Sequence, residues 1–91
     1  MARRIVKKIL PEYYELIASG EKKFEVRVAD FDVEEGDTLV LEEWDSLDHA
    51  TRQQTGRSIE KKITFAGKFR LNEFNQLEEI EQHGIYILQL E

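Results

Sequence analysis

The order of hydrophobic and polar positions predicts a chain in which short strands alternate with two helices. Residues 4–10 carry β-branched and apolar side chains on both parities, which favours a strand. Pro11 then suits the first position of a helix, and Gly20 suits the left-handed residue that follows a helix end. A helix is therefore predicted over 11–19. The residues expected to face the core from this helix are Tyr13, Leu16 and Ile17.

The remaining pattern adds further strands and one more helix. Phe24, Val26 and Val28 alternate with charged residues, as expected of a strand with one core face and one polar face. Other strands are predicted over 38–44, 58–66 and 85–90. In the strand 58–66, Ile59, Ile63 and Phe65 share a face with Lys61. A polar loop covers 45–56, and a short helix is predicted within 69–83. These elements together predict an α+β fold with a curled or closed sheet and two peripheral helices.

Length and composition narrow the class of protein. A chain of 91 residues forms a single domain, here 1–91, with a modest core. The absence of cysteine excludes disulfides and thiolate chemistry, and neither a signal peptide nor a membrane span is expected, so a cytoplasmic location is the default. The two histidines, His49 and His83, have no ligand spacing, so no metal or other cofactor is predicted.

Charge alternates in blocks along a chain whose net charge is -6. Residues 1–29 hold seven Lys/Arg and four Asp/Glu, whereas 30–56 hold one and nine. Residues 57–70 hold five and one, and 71–91 hold no Lys/Arg and five Asp/Glu. If strands from the two basic blocks lay side by side, an acidic protein would present one basic face. Ordinary solvated surfaces explain the same blocks equally well.

The segment after the first helix carries the densest candidate chemistry. Lys22, Glu25 and Arg27 gather where the backbone changes direction and a cleft between helix and sheet can open. Lysine supplies a mobile point charge for phosphate, and arginine supplies a planar fork of donors. Glu25 can accept the amine of a base or orient Arg27. The alternative is that the two cations simply neutralise Glu25 and nearby acids.

Aromatic and further basic residues extend this candidate site. Periodicity directs Tyr13 and Phe24 inward, which leaves Tyr14 and Trp44 as the candidates for stacking on a base. Arg57 would widen the phosphate-binding face, together with Lys61, Lys62 and Lys68.

Several motifs resemble those of ASCH-type domains, and most closely the small DUF3850 group. The motifs are Lys8-Ile9-Leu10-Pro11-Glu12-Tyr13-Tyr14, Gly20-Glu21-Lys22-Lys23-Phe24-Glu25-Val26-Arg27, Gly36-Asp37 before Leu39-Val40-Leu41-Glu42-Glu43-Trp44, and Thr55-Gly56-Arg57. The resemblance implies a PUA-like β-barrel of about five or six strands. It also implies binding of RNA or a nucleotide-like ligand in a cleft between the first helix and the barrel.

Some relatives with this architecture are amidohydrolases that act on acetylated cytidine with a lysine and a threonine three residues later. Lys22 holds the lysine position, but Glu25 stands where the threonine would be, which removes the nucleophilic hydroxyl. The leading hypothesis is therefore a non-enzymatic domain that binds RNA or a nucleotide-like ligand. The alternatives are an amidohydrolase of acetylated or otherwise modified pyrimidine nucleosides, with Lys22 and Glu25 in altered roles, and a protein-interaction module.

Overall fold

An open sheet of three strands and two helices makes up the architecture. The computed structural model describes residues 2–90, with the side chain of Phe74 left out. The strands are β1 (Arg4–Ile9), β2 (Thr38–Trp44) and β3 (Gln54–Lys62), in the order β1-β2-β3. β1 runs parallel to β2, and β3 runs antiparallel to it. The helices are α1 (Pro11–Ala18) and α2 (Leu77–His83), and α2 is preceded by a 3₁₀ turn over Leu71–Phe74.

Local signals set both ends of α1. Pro11 occupies the first position, where the missing N–H costs nothing. Beyond the helix, Gly20 takes a φ of 83°, in the left-handed region that favours glycine. The backbone N–H of Lys22 then donates to the carbonyl of Leu16 at 3.0 Å. This reversal fixes the point from which the candidate-site segment leaves the helix.

The core lies between α1 and one face of the sheet. Leu41 is fully buried at the centre of β2, and the other core residues are Ile9, Tyr14, Ile17 and Leu39. Ile5, Ile59 and Ile63 pack against this cluster from its edges. Because β1 and β2 are parallel, the connection between them must cross over, and α1 lies on that crossover. Their carboxyl ends therefore meet at the same edge of the sheet.

The opposite edge of the sheet is held by Asp37, which is 1% exposed. Its carboxylate accepts the backbone N–H of Arg3 at 2.8 Å, the Arg3 Nε–H at 3.1 Å and the backbone N–H of Glu34 at 3.0 Å. These bonds, led by the backbone N–H of Arg3, lower the pKa of Asp37. The carboxylate thus ties the start of the chain to the turn before β2.

The predicted α+β class is confirmed, and so are the first helix and the strand over 38–44. The strand predicted over 4–10 is confirmed as β1, which ends one residue earlier. The second helix is confirmed in the shorter span of α2. The strand predicted over 58–66 was placed wrongly, since β3 both begins and ends four residues earlier. Phe65, which the pattern placed on the same face as Ile59 and Ile63, lies beyond the end of β3 and is 82% exposed.

The segments 23–28 and 85–90 were predicted as strands, but neither is a strand in the structure. The sheet thus has three strands and is open, instead of the five or six of a closed barrel. The alternation of apolar and charged side chains in Phe24–Val28 suggested a strand. A strand, however, also requires a neighbouring strand that pairs with its backbone hydrogen-bonding groups. Val26 and Val28 are 60% and 80% exposed, so this alternation does not mark a core face.

Within residues 2–90, no helix has the length and apolar content needed to cross a membrane.

Candidate ligand pocket

A pocket of about 340 Å³ lies at the edge of the sheet where β1 and β2 end. It is bounded by the start of α1, by residues 22–27 and by the loop 45–53. Its charged lining residues are Lys8, Lys22, Glu25, Arg27 and Arg52. Its aromatic lining residues are Tyr13 and Trp44. The pocket is thus a mixed surface with four cations, one carboxylate and two rings.

Three of these residues form a connected ion cluster, the Glu25 triad. Glu25 Oε1 lies 3.4 Å from Lys22 Nζ, and Glu25 Oε2 accepts the Nε–H of Arg27 at 2.9 Å. The Glu25 side chain is 17% exposed, so both ion pairs are partly shielded from water. Lys22 Nζ also lies 5.0 Å from the centre of the Tyr13 ring. Each carboxylate oxygen of Glu25 is therefore already occupied by a cation.

Arg27 also links the triad to the sheet. Its Nη2 donates to the backbone carbonyl of Lys8 at 2.8 Å, just before β1 ends. Two of the three guanidinium nitrogens are thus committed, one to Glu25 and one to β1. Arg27 consequently serves as a wall of the pocket, and its Nη1 retains donors for a ligand.

The other two cations flank Trp44. Lys8 Nζ lies 5.1 Å from the centre of the Trp44 ring, and the Arg52 guanidinium lies 5.0 Å from it. Neither cation pairs with a carboxylate anywhere in residues 2–90. Cation–π contacts of this kind leave the N–H donors of both side chains available. We call Lys8, Trp44 and Arg52 the Trp44 cluster.

The loop 45–53 places Arg52 in this cluster. Asp48 turns the loop: its carbonyl accepts the backbone N–H of Arg52 at 2.8 Å, and its Oδ1 accepts that of Ala50 at 2.9 Å. Asp45 closes the base of the loop by accepting the backbone N–H of Gln53 at 2.8 Å. The long polar loop is therefore an ordered part of the pocket.

Trp44 carries an unsatisfied donor. Its indole Nε1 is buried and has no hydrogen-bond partner in the described part of the chain. A buried donor without an acceptor costs free energy, and in native structures such a group commonly finds a water or a ligand. The Trp44 cluster thus combines two unpaired cations with one orphaned N–H.

Glu43, the residue before Trp44 on β2, is 2% exposed and forms the centre of a second ion cluster. Arg57 donates to both of its carboxylate oxygens, from Nε at 2.9 Å and from Nη2 at 2.7 Å. Thr55 donates its hydroxyl to the same carboxylate. Arg57 Nη2 also lies 2.7 Å from Glu15 Oε1, and the guanidinium lies 4.4 Å from the centre of the Tyr14 ring. We call this group the Glu43 cluster.

A β-bulge brings the two donors of β3 to Glu43. Glu42 pairs with Ser58 and Trp44 pairs with Gln54, so three residues of β3 lie opposite the single residue Glu43. The middle one, Gly56, has a φ of 93°, which an L side chain rarely adopts. The Thr55-Gly56-Arg57 motif is thus explained by the geometry that aims two donors at one buried carboxylate.

Hydrogen bonding perturbs both partners of this cluster. The bonds from Arg57, and then from Thr55, lower the pKa of Glu43. The bonds to Glu43, and then to Glu15, raise the pKa of Arg57. In both cases the charged form is favoured, so the pair is locked as an ion pair.

The structure brings four of the six predicted site residues into one pocket: Lys22, Glu25, Arg27 and Trp44. The other two lie in the Glu43 cluster. Arg57 is committed to Glu43 and Glu15, and Tyr14 is only 8% exposed, with its hydroxyl donating to the Ser58 carbonyl at 3.2 Å. The expected orientation of the two tyrosines was wrong, since Tyr13 is the one that is 46% exposed and lines the pocket.

Sequence reasoning missed Lys8 and Arg52. The signal for Lys8 was its place near the end of β1, because the carboxyl ends of parallel strands share one edge. Arg52 gave no comparable signal, since its position depends on the turn at Asp48.

The two strands from the basic blocks, β1 and β3, do not lie side by side, because β2 lies between them. They therefore do not form the single basic face that neighbouring strands would have given. No group of three potential metal ligands occurs within residues 2–90.

Comparison with known proteins identifies the family. Residues 6–78 match the model of the family described as "Domain of unknown function (DUF3850)", and the chain belongs to this family. It is also similar to an uncharacterized 12.9 kDa protein in the GpA 3′ region of Escherichia phage P2, with 39% identity over 57 residues. That match covers 63% of this chain and 48% of the phage protein, so the chain matches about half of its relative. No solved structure matches the chain.

Proposed function

We propose that this chain binds RNA, or a nucleotide-like ligand, in the pocket at the carboxyl ends of β1 and β2. The observation that carries the proposal is the excess of cations in that pocket. Its lining has four cations and one carboxylate, in a chain whose net charge is -6. An anion in the pocket would meet a local excess of positive charge, although the chain as a whole is acidic.

The geometry supports a division of labour within the pocket. Glu25 holds Lys22 and Arg27 in place, so these residues supply a fixed positive wall. Lys8 and Arg52 have no acidic partner in residues 2–90 and are the better phosphate ligands. The exposed ring of Tyr13 offers a surface on which a base can stack, a contact worth about 1–3 kcal/mol in single-strand recognition.

Binding is favoured over hydrolysis by the chemistry at position 25. In the amidohydrolases that this chain resembles, the nucleophile is a threonine hydroxyl, whereas Glu25 is a carboxylate already paired with two cations. A carboxylate so engaged serves better as a positioning group than as a nucleophile. Incubation with acetylated cytidine gives the direct comparison: deacetylation that Lys22→Ala abolishes would replace binding with hydrolysis as the function.

The proposal includes membership of the PUA-like ASCH superfamily, with a barrel closed by residues 23–28 and 85–90. Two hydrogen bonds of the Gln89 side chain support this closure: its Oε1 accepts the backbone N–H of Lys23 at 2.6 Å, and its Nε2 donates to the Glu21 carbonyl at 3.2 Å. Amide hydrogen exchange tests it. Slow exchange at alternating residues of both segments is expected of paired strands, and fast exchange throughout both would contradict closure.

The test of function uses the single tryptophan of the chain, which lines the pocket. Titration with single-stranded RNA, followed by Trp44 fluorescence and by anisotropy of labelled RNA, should show binding that weakens as salt rises. Arg52→Ala and Lys8→Ala should each weaken binding about tenfold. Each should also reduce the slope of log K against log salt by about 0.7, because one phosphate contact is lost.

Matched controls lie at the other end of the sheet. Arg4 and Lys62 both pair with Thr38 at the start of β2, roughly 20 Å from Trp44 along the strand. Arg4→Ala and Lys62→Ala remove the same charges without touching the pocket, and should leave affinity within about twofold. Equal losses in the pocket and control variants would show that binding follows net charge alone, and would contradict the proposed site.

A further inference from the structure

We infer that the pocket recognises a terminal phosphate monoester, the phosphorylated end of an RNA or a free mononucleotide, in preference to an internal phosphodiester. This inference rests on the proposed function and names the ligand class of the same pocket. Three features carry it: the size of the pocket, the number of unpaired cations, and the orphaned indole N–H.

The pocket holds one nucleotide unit, not a strand. Its volume of about 340 Å³ lies at the lower end of the range of about 300–1,000 Å³ for single small-molecule sites. Proteins that bind a continuous strand instead follow it along a groove, with roughly 4–16 nucleotides per site in the OB-fold case. A chain end or a free nucleotide can enter a pocket of this size directly, whereas an internal nucleotide must first be flipped out of its strand at a cost in free energy.

The charge available to a ligand matches a dianion. Glu25 offsets part of the charge of Lys22 and Arg27, whereas Lys8 and Arg52 carry two full charges with no acidic partner in residues 2–90. A phosphate monoester carries about -1.5 to -2 near neutral pH, whereas an internal phosphodiester carries a single charge. Two unpaired cations are therefore better matched to the monoester.

The donors around Trp44 suit the same group. A terminal phosphate has three exposed oxygens that act as strong acceptors. The Trp44 cluster offers the ammonium of Lys8, the guanidinium fork of Arg52 and the buried Nε1–H of Trp44, which has no partner in residues 2–90. A monoester has as many exposed oxygens as there are donor groups in this cluster.

The experiment compares one short single-stranded RNA in three forms: with a 5′-phosphate, with a 3′-phosphate, and with hydroxyls at both ends. Nucleoside 5′-monophosphates are titrated alongside their nucleosides. We expect at least one phosphorylated form to bind tenfold or more tightly than the hydroxyl form. If only the monophosphates show the preference over their nucleosides, the natural source is a free nucleotide.

Variants locate the preference. Lys8→Ala and Arg52→Ala should reduce the tenfold preference to threefold or less, while Arg4→Ala and Lys62→Ala should retain it. Trp44→Phe keeps an aromatic ring and removes the Nε1–H. It should weaken binding of the phosphorylated ligand more than binding of the hydroxyl form. Anisotropy of labelled RNA serves as the readout for Trp44→Phe, and circular dichroism confirms that each variant is folded.

The possible failures are distinguishable. Equal affinity for all three RNA forms, together with equal affinity for nucleoside monophosphates and nucleosides, would overturn the terminal-phosphate inference. The proposed RNA-binding function would still stand if the RNA affinity is lost in Lys8→Ala and Arg52→Ala. No binding of any RNA or nucleotide at low salt would overturn both. A phosphate preference retained in Lys8→Ala and Arg52→Ala would place recognition away from the Trp44 cluster, and would also overturn the inference.

Discussion

The pocket and the Glu43 cluster both combine glutamate, arginine and an aromatic ring, but they differ in their balance of charge. In the pocket, four cations face one carboxylate. In the Glu43 cluster, one guanidinium is shared by two carboxylates, Glu43 and Glu15, and stacks on Tyr14. The first arrangement leaves cations free for a ligand, whereas the second leaves none. A basic residue near aromatic rings is thus a binding candidate only where its own protein does not neutralise it.

The largest contrast is expected from the same Glu→Gln substitution in each cluster. Glu43→Gln removes a buried charged acceptor from Arg57 and Thr55, and should lower the thermal midpoint by roughly 5–10 °C. Glu25→Gln breaks ion pairs that are nearer to solvent, and should lower it by less than roughly 3 °C. Differential scanning calorimetry measures both. Equal shifts would show that the two clusters do not differ in stability.

The second prediction compares one arginine from each cluster: its loss should reduce ligand affinity in the pocket and thermal stability in the Glu43 cluster. Arg52→Ala should weaken nucleotide or RNA binding about tenfold with little change in thermal midpoint, because the Arg52 guanidinium lies over the Trp44 ring and pairs with no carboxylate within residues 2–90. Arg57→Ala should lower the midpoint by several degrees and leave affinity within about twofold, because its loss strands the buried Glu43. The opposite pattern, in which Arg57→Ala abolishes binding in a folded protein, would move the ligand site to the Glu43 cluster.

Acid should weaken the fold through the buried carboxylates. Hydrogen bonds from Arg3 lower the pKa of Asp37, and hydrogen bonds from Arg57 lower the pKa of Glu43. As pH falls, the unfolded chain takes up protons first, so the stability that they contribute is present above about pH 4.5 and is lost below it.

Urea midpoints measured between pH 6 and pH 3 test this dependence. The wild type should lose stability across the acid range, and Asp37→Asn and Glu43→Gln should each show a shallower loss. A variant with the full wild-type pH dependence would exclude its carboxylate as a source of the acid sensitivity.

The smallest effects are expected at the two adjacent tyrosines. Tyr14→Phe removes the hydrogen bond to the Ser58 carbonyl and should cost about 0.5–1.5 kcal/mol of unfolding free energy without affecting binding. Tyr13→Phe keeps the pocket ring, so stability should change by less than about 0.5 kcal/mol. Tyr13→Ala should weaken ligand binding about tenfold, and unchanged affinity would exclude stacking on this ring.

Short-range sequence signals predicted α1 and β2 well. Pro11 and Gly20 define the ends of α1 through backbone conformation, and the segment 38–44, with three consecutive apolar residues at its centre, forms β2 over the predicted span. The orientation of α1 was less predictable, because an eight-residue helix offers more than one stripe with three- or four-residue spacing. Packing against the sheet selected Tyr14 and Ile17, and left Tyr13 to the pocket.

By itself, the sequence determined that a charged segment follows a helix ended by a glycine, and hence that Lys22, Glu25 and Arg27 lie close together. Only the tertiary structure decided which cations remain unpaired. Arg52 and Arg57 are five residues apart in one polar stretch of the sequence. A turn at Asp48 nevertheless places Arg52 over the Trp44 ring, whereas a bulge at Gly56 places Arg57 against Glu43. The partner of a charge is set by contacts distant in sequence, and local propensity carries no information about them.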